Sequence, residues 1–127
     1  MKVPWARTDT AESAGIKRIL VCDDERHIVR LIQVNLRRQG YEIVTAFTGR
    51  EALDKLFTGG FDLAVVDTRL PDMTGREVLA AIRANPETAH LRVILLGDQE
   101  DRDDDELGPP PDMFLTKPIN PIQLVGW

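Results

Sequence analysis

Five short runs of apolar residues do most to decide what this chain can build. Residues 16–22, 41–46, 63–67, 92–96 and 113–116 are mostly apolar, with apolar residues at neighbouring positions rather than only at alternate ones. A strand that is apolar on both faces belongs in a parallel sheet covered on both sides. The stretches between the runs carry helical spacing. Residues 25–39 place Ile28, Leu31, Ile32 and Leu36 on one stripe, with Gly40 as the stop. Thr48-Gly49-Arg50-Glu51 has the capping-box pattern; Ala52, Leu53 and Leu56 give that helix its inner face, and Gly59-Gly60 end it. Residues 76–85 follow as a helix with Val78, Leu79 and Ile82 inward. Strand and helix in alternation predict an α/β fold: a single three-layer, doubly wound, five-stranded parallel sheet with right-handed crossovers.

The length of 127 residues fits one such domain. Residues 1–15 are small, polar and aperiodic, so they are expected to form a flexible tail, with the domain over 16–127. A net charge of −5 leaves no basic face for direct nucleic-acid binding or for an anionic membrane surface. No apolar run reaches the length of a membrane span and the first residues lack a signal-peptide core, so the cytoplasm is the expected compartment. The lone cysteine, Cys22, lies in an apolar run and reads as a small buried hydrophobe.

In a doubly wound sheet, ligands bind beyond the carboxyl ends of the strands. Asp23 and Asp24 follow the first strand, Asp67 ends the third and Lys117 follows the fifth. One acidic residue at a strand end is an ordinary surface charge, but four converging titratable groups point to a site. Three carboxylates in one place repel one another unless a cation joins them. Mg2+ suits the set, because it takes one or two carboxylates together with phosphate and water. An aspartate can act as a nucleophile towards phosphorus, and phosphoryl transfer needs little beyond positioning and charge neutralisation.

Three motifs carry a resemblance: Val21-Cys22-Asp23-Asp24-Glu25, Val65-Val66-Asp67-Thr68-Arg69-Leu70-Pro71-Asp72-Met73-Thr74-Gly75 and Phe114-Leu115-Thr116-Lys117-Pro118. In this order and at these separations the chain resembles the receiver domains of two-component response regulators, such as the chemotaxis regulators, from about Lys17 to about Leu124. The resemblance implies a flavodoxin-like strand order of 2-1-3-4-5. It implies that Asp67 is the phosphoacceptor, and that Asp23, Asp24, the Asp67 carboxylate and the Arg69 backbone carbonyl hold Mg2+. Lys117 would pair with the phosphoryl group ahead of a cis peptide bond to Pro118. Pro71 and Gly75 would shape the loop after the acceptor, and Phe114 would occupy an aromatic switch position. The implied phosphodonor is a histidine kinase or a histidine phosphotransfer protein, and the implied recipient of the signal is an effector domain or output protein. Such a domain catalyses only its own phosphorylation and dephosphorylation.

The chain departs from this pattern in three places. Gly97 stands where the family carries Ser or Thr, and Asp98 follows it where a small residue is usual. The missing hydroxyl predicts weakened switching and a gain of response in a Gly97→Thr variant. Residues 98–112 combine an acidic run with Pro109-Pro110-Pro111, which predicts a fourth helix of one or two turns and no family-standard dimer. Ten residues follow Lys117, with Pro121 placed for a first helical turn, so the fifth helix is expected to be truncated. An alternative on the same fold is a phosphate-independent interaction module. An aspartyl phosphohydrolase would want a second aspartate two residues after the nucleophile, where Arg69 stands.

Overall fold

The structure is a computed structural model and describes residues 17–102 and 108–117. Five strands form one sheet: β1 (Arg18–Cys22), β2 (Glu42–Ala46), β3 (Leu63–Asp67), β4 (Arg92–Gly97) and β5 (Met113–Thr116). Every pairing is parallel and the order is β2-β1-β3-β4-β5. The expected fold class and strand order are both present.

The sheet is apolar on both faces because it is covered on both. Alternate strand residues feed two separate cores. Ile19, Val21, Leu63, Val65, Ile94 and Leu96 pack beneath helix α1 (Arg26–Arg37). Leu20, Cys22, Ala64, Val66, Val93 and Leu95 pack beneath α2 (Gly49–Leu56) and α3 (Gly75–Ala84). The buried stripe of α1 is Val29, Ile32 and Leu36, with Ile28 and Leu31 only half-buried, so the helix is rotated from the expected stripe by part of a turn.

Local chemistry sets the helix ends. Thr48 caps α2 by accepting from the Glu51 N–H at 3.0 Å. The return bond differs from the expected box, because the Glu51 carboxylate accepts from the Phe47 N–H at 2.9 Å. Gly59 and Gly60 leave α2 at φ 88° and 86°, a conformation that glycine adopts without penalty. A full capping box starts α3, between Thr74 and Glu77, so the helix begins at Gly75 rather than at 76. Helix α4 is described over Gln99–Arg102, and residues 103–107 of the segment expected to carry a helix of one or two turns lie outside the described residues. The N-terminal tail, the fifth helix and the Lys117-Pro118 bond lie outside the described residues. No helix among the described residues is long and apolar enough to cross a membrane.

Candidate functional site

Parallel register brings the strand ends to one edge. Cys22 pairs with both Ala46 and Val66, Asp67 with Leu96, and Gly97 with Thr116. The residues just past these pairs therefore gather at the carboxyl edge of β1, β3 and β5. Asp23, Asp24 and Asp67 meet there, and Glu25 joins them: one carboxylate oxygen from each lies within 4.8 Å of the others. Asp23 and Asp67 are buried, whereas Asp24 and Glu25 face solvent. Glu25 was not among the expected site residues. It occupies the N-cap position of α1 without capping it, which leaves its side chain free to turn towards the cluster.

Lys117 closes the site. Its ammonium donates to Asp67 Oδ2 at 2.6 Å, and lies 3.1 Å from Asp23 Oδ2 and 3.7 Å from Glu25 Oε1. Burial pulls the Lys117 ammonium down, but the bond to Asp67 and the charges of Asp23 and Asp67 hold it above its ordinary value. Asp67 Oδ1 accepts from the Arg69 N–H at 3.0 Å, and Asp23 Oδ1 accepts from the Glu25 N–H at 3.0 Å. Asp23 Oδ2 is close to the ammonium but in no hydrogen-bonding geometry. It is the one buried side-chain polar atom among the described residues without a hydrogen bond. Burial first, and then the neighbouring Asp67, push the Asp23 carboxyl up to about 7.

A buried carboxylate oxygen without a donor, set among three other carboxylates and one lysine, fits an oxygen-seeking divalent cation. The orphaned oxygen and the hard donor set are those such an ion takes. Arg69 lies on the rim of the same cleft, and its side chain bridges outward to Asp98 at 3.2 Å and Asp101 at 3.6 Å.

The loop after β3 is braced. Gly75 N–H donates to the Thr68 carbonyl at 2.8 Å, Leu70 N–H donates to the Met73 carbonyl, and Arg69 bridges Thr74. Asp72 reaches across to accept from the Gly49 and Arg50 N–H groups at 2.8 and 2.9 Å. That loop residue therefore ties the start of α2 to the acceptor loop, and those two bonds hold its carboxyl below the usual range. Phe114 is half-buried against the α2–α3 core and lines a cleft with Arg76, Pro110 and Pro111. His27 is an exposed helix residue beside Glu25. Burial, with Asp23 next in weight, pushes the Cys22 thiol up to about 12, so it is an inert core residue.

The surroundings of Gly97 are crowded. A β-carbon there would lie 2.5 Å from Thr68 Oγ1 and 2.9 Å from Asp101 Oδ2. The place of the missing side chain is filled rather than empty, because Thr68 and Asp101 hydrogen-bond across it at 2.8 Å. Asp98 lines the cleft paired with Arg69, and it caps α4 by accepting from the Asp101 N–H at 3.1 Å. A Gly97→Thr variant is therefore expected to lose about 1–3 kcal/mol of stability by overpacking, read from the urea midpoint, instead of gaining response. A variant as stable as the parent contradicts the crowding.

A family profile described as response regulator receiver domain matches residues 19–126. The chain belongs to that family. The receiver domain is 40% identical over 110 residues to the alkaline phosphatase synthesis transcriptional regulatory protein PhoP of Bacillus subtilis (strain 168), covering 85% of this chain and 45% of that protein. It thus spans about half the length of the curated relatives it matches. Among solved structures it is similar to the chemotaxis response regulator CheY4 of Vibrio cholerae, at 30% identity and a TM-score of 0.79, over 85% of this chain and 92% of that one. It is also similar to TrrA of Thermotoga maritima, solved in complex with Mg2+–BeF, at 38% identity and a TM-score of 0.74, over 83% and 90% of the two chains. Receiver domains are signalling domains of two-component systems that accept a phosphoryl group, and they generally bind Mg2+ at an acidic cluster of this kind.

Proposed function

We propose that Asp67 is the phosphoacceptor of this receiver domain, with Asp23, Asp24, the Asp67 carboxylate and the Arg69 carbonyl as the Mg2+ ligands. Glu25 borders that set. The observation that carries the reading is the Lys117 ammonium at 2.6 Å from Asp67 Oδ2, inside a cluster of four acidic residues. A surface acid has neither a half-buried lysine clamp nor a backbone N–H aimed at its second oxygen.

The chain's own groups perform three tasks. Asp67 is held still by the Lys117 and Arg69 donors, so one carboxylate oxygen can approach phosphorus in line. A new oxygen–phosphorus bond forms as the bond from phosphorus to the donor's histidine nitrogen breaks. Lys117 then follows the charge onto the phosphoryl oxygens, as a preorganised cation. Bound Mg2+ would supply the further neutralisation of those oxygens. Hydrolysis of the acyl phosphate returns the free carboxylate, and both steps are catalysed by the domain upon itself.

The phosphodonor is a histidine kinase or a histidine phosphotransfer protein, and an effector domain or output protein reads the result, in the cytoplasm. TrrA's complex with Mg2+–BeF supports the same ligand chemistry here. Incubation with Mg2+ and a small-molecule acyl phosphate is expected to add one hydroxylamine-labile phosphate, mapped by mass spectrometry to Asp67. Labelling that survives Asp67→Asn would overturn the assignment. A folded, Mg2+-loaded chain that never labels would favour the phosphate-independent module.

A further inference from the structure

The contact that fills the space beside Gly97 offers the chain a hydroxyl that position 97 lacks. Thr68 is buried and fixed at its backbone: its N–H donates to the Leu96 carbonyl and its carbonyl accepts from Gly75, both at 2.8 Å. Its Oγ1 lies 2.5 Å from where a β-carbon on Gly97 would stand. Thr68, Gly97 and Asp101 line the same cleft as Asp67 and Lys117. The hydroxyl is at present given to Asp101 Oδ2. Asp101 also accepts from the Asp98 N–H at 3.2 Å, faces Arg69 at 3.6 Å, and offers its carbonyl to Arg76 Nη2 at 2.7 Å. Asp101 thus collects a hydroxyl, an amide and one guanidinium group from the rim of the acceptor cleft, and a second guanidinium from Arg76 on α3.

We propose that Thr68 is the positioning hydroxyl for the phosphoryl group on Asp67, and that Asp101 holds this hydroxyl until phosphorylation. The inference rests on Asp67 being the acceptor. The backbone of Thr68 does not have to move. Rotation about its Cα–Cβ bond exchanges one anionic acceptor, the Asp101 carboxylate, for another, a phosphoryl oxygen. The exchange is driven by charge. A phosphoryl group brings nearly two negative charges to a cleft that already holds Asp98 and Asp101. Those charges repel Asp101 and attract Arg69, which now bridges Asp98 and Asp101. Asp101 then loses its hydroxyl donor and part of its guanidinium partner together, and α4 loses the tie between Asp101 and the residue that follows β3. Receipt of the phosphoryl group would thereby be transmitted to α4 without any side chain at position 97.

The test compares affinities for beryllofluoride in saturating Mg2+, measured by calorimetry on the whole chain, for the parent, Thr68→Val, Thr68→Ser, Asp101→Asn and Asp67→Asn. Valine keeps the shape of Thr68 and removes the hydroxyl. Thr68→Val is expected to bind roughly ten- to a hundred-fold more weakly, the usual worth of a hydrogen bond to a charged group. Thr68→Ser is expected to return most of that loss. Asp101→Asn is expected to bind more tightly than the parent, since it weakens the charge-assisted hold on the hydroxyl and removes a repelling charge. The opposite signs separate the proposal from a strut role, in which Thr68 and Asp101 only fasten α4 and both variants weaken binding. Equal binding by Thr68→Val and the parent, or weakening by Asp101→Asn, overturns the proposal. Should Thr68→Val fail to fold by circular dichroism, the sign of Asp101→Asn decides alone. Failure of the parent to bind, or binding that survives Asp67→Asn, instead overturns the assignment of the acceptor on which the proposal rests.

Discussion

Gly75→Ala is expected to destabilise the domain by about 3 kcal/mol or more and to remove beryllofluoride binding with it. The glycine is the first residue of α3, where most residues fit, and its φ is ordinary. The obstacle is space. A β-carbon on Gly75 would press into the Asp67 carbonyl oxygen, 2.8 Å from Thr68 Cα and 2.9 Å from the Asp67 carbonyl carbon. These are backbone atoms of the acceptor and its neighbour, and a rotamer change cannot relieve the overlap. Either α3 withdraws and the Gly75–Thr68 bond is lost, or the acceptor is pushed out of line with Lys117. Urea denaturation gives the stability and calorimetry the binding. A Gly75→Ala variant with the parent's midpoint and affinity would show that the loop after β3 yields more readily than its geometry implies.

Asp23→Asn is expected to act in opposite directions with and without metal. Without Mg2+, the substitution removes a fully buried charge whose Oδ2 has no hydrogen-bond donor, and Lys117 keeps Asp67 as its partner. Relief of the repulsion among carboxylates that share one lysine should raise the stability of the metal-free chain by about 1–3 kcal/mol. With Mg2+, the parent should gain stability by mass action, about 2.7 kcal/mol at a hundredfold excess over its dissociation constant. The variant, short of a ligand, should gain far less. Thermal melts with and without Mg2+ would show the two orders crossing. A parent that melts at one temperature in either condition would refute a cation role for the cluster.

Much of this architecture could be read in advance, and the reason is periodicity. The bounds of β3 and β5 match their apolar runs because nothing polar interrupts those runs before Asp67 and Thr116. The strand ends carried the acidic cluster with them. The start of α3 was placed one residue late because Gly75 reads as a helix breaker, although Thr74 and Glu77 stand in capping-box spacing. Glu25 went unrecognised because a glutamate opening a helix ordinarily serves the helix dipole. The partnership of Thr68 with Asp101 could not be read at all. The two residues are 33 positions apart, and Asp101 opens an acidic run that looks like a solvated loop. Nothing local marks its neighbour Gly97 as crowded rather than vacant. A glycine in sequence reports the side chain that is missing, and only the fold reports what fills its place.

Asp67 and Mg2+ must work together if this receiver domain is to accept a phosphoryl group. The decisive measurement is an NMR titration of the 15N-labelled chain with beryllofluoride, with and without Mg2+, repeated on Asp67→Asn. The expected result is saturable shifts at the Asp23–Glu25, Thr68–Arg69 and Lys117 amides that need Mg2+ and vanish in the variant. Shifts independent of Mg2+, or persisting without the Asp67 carboxylate, would contradict it.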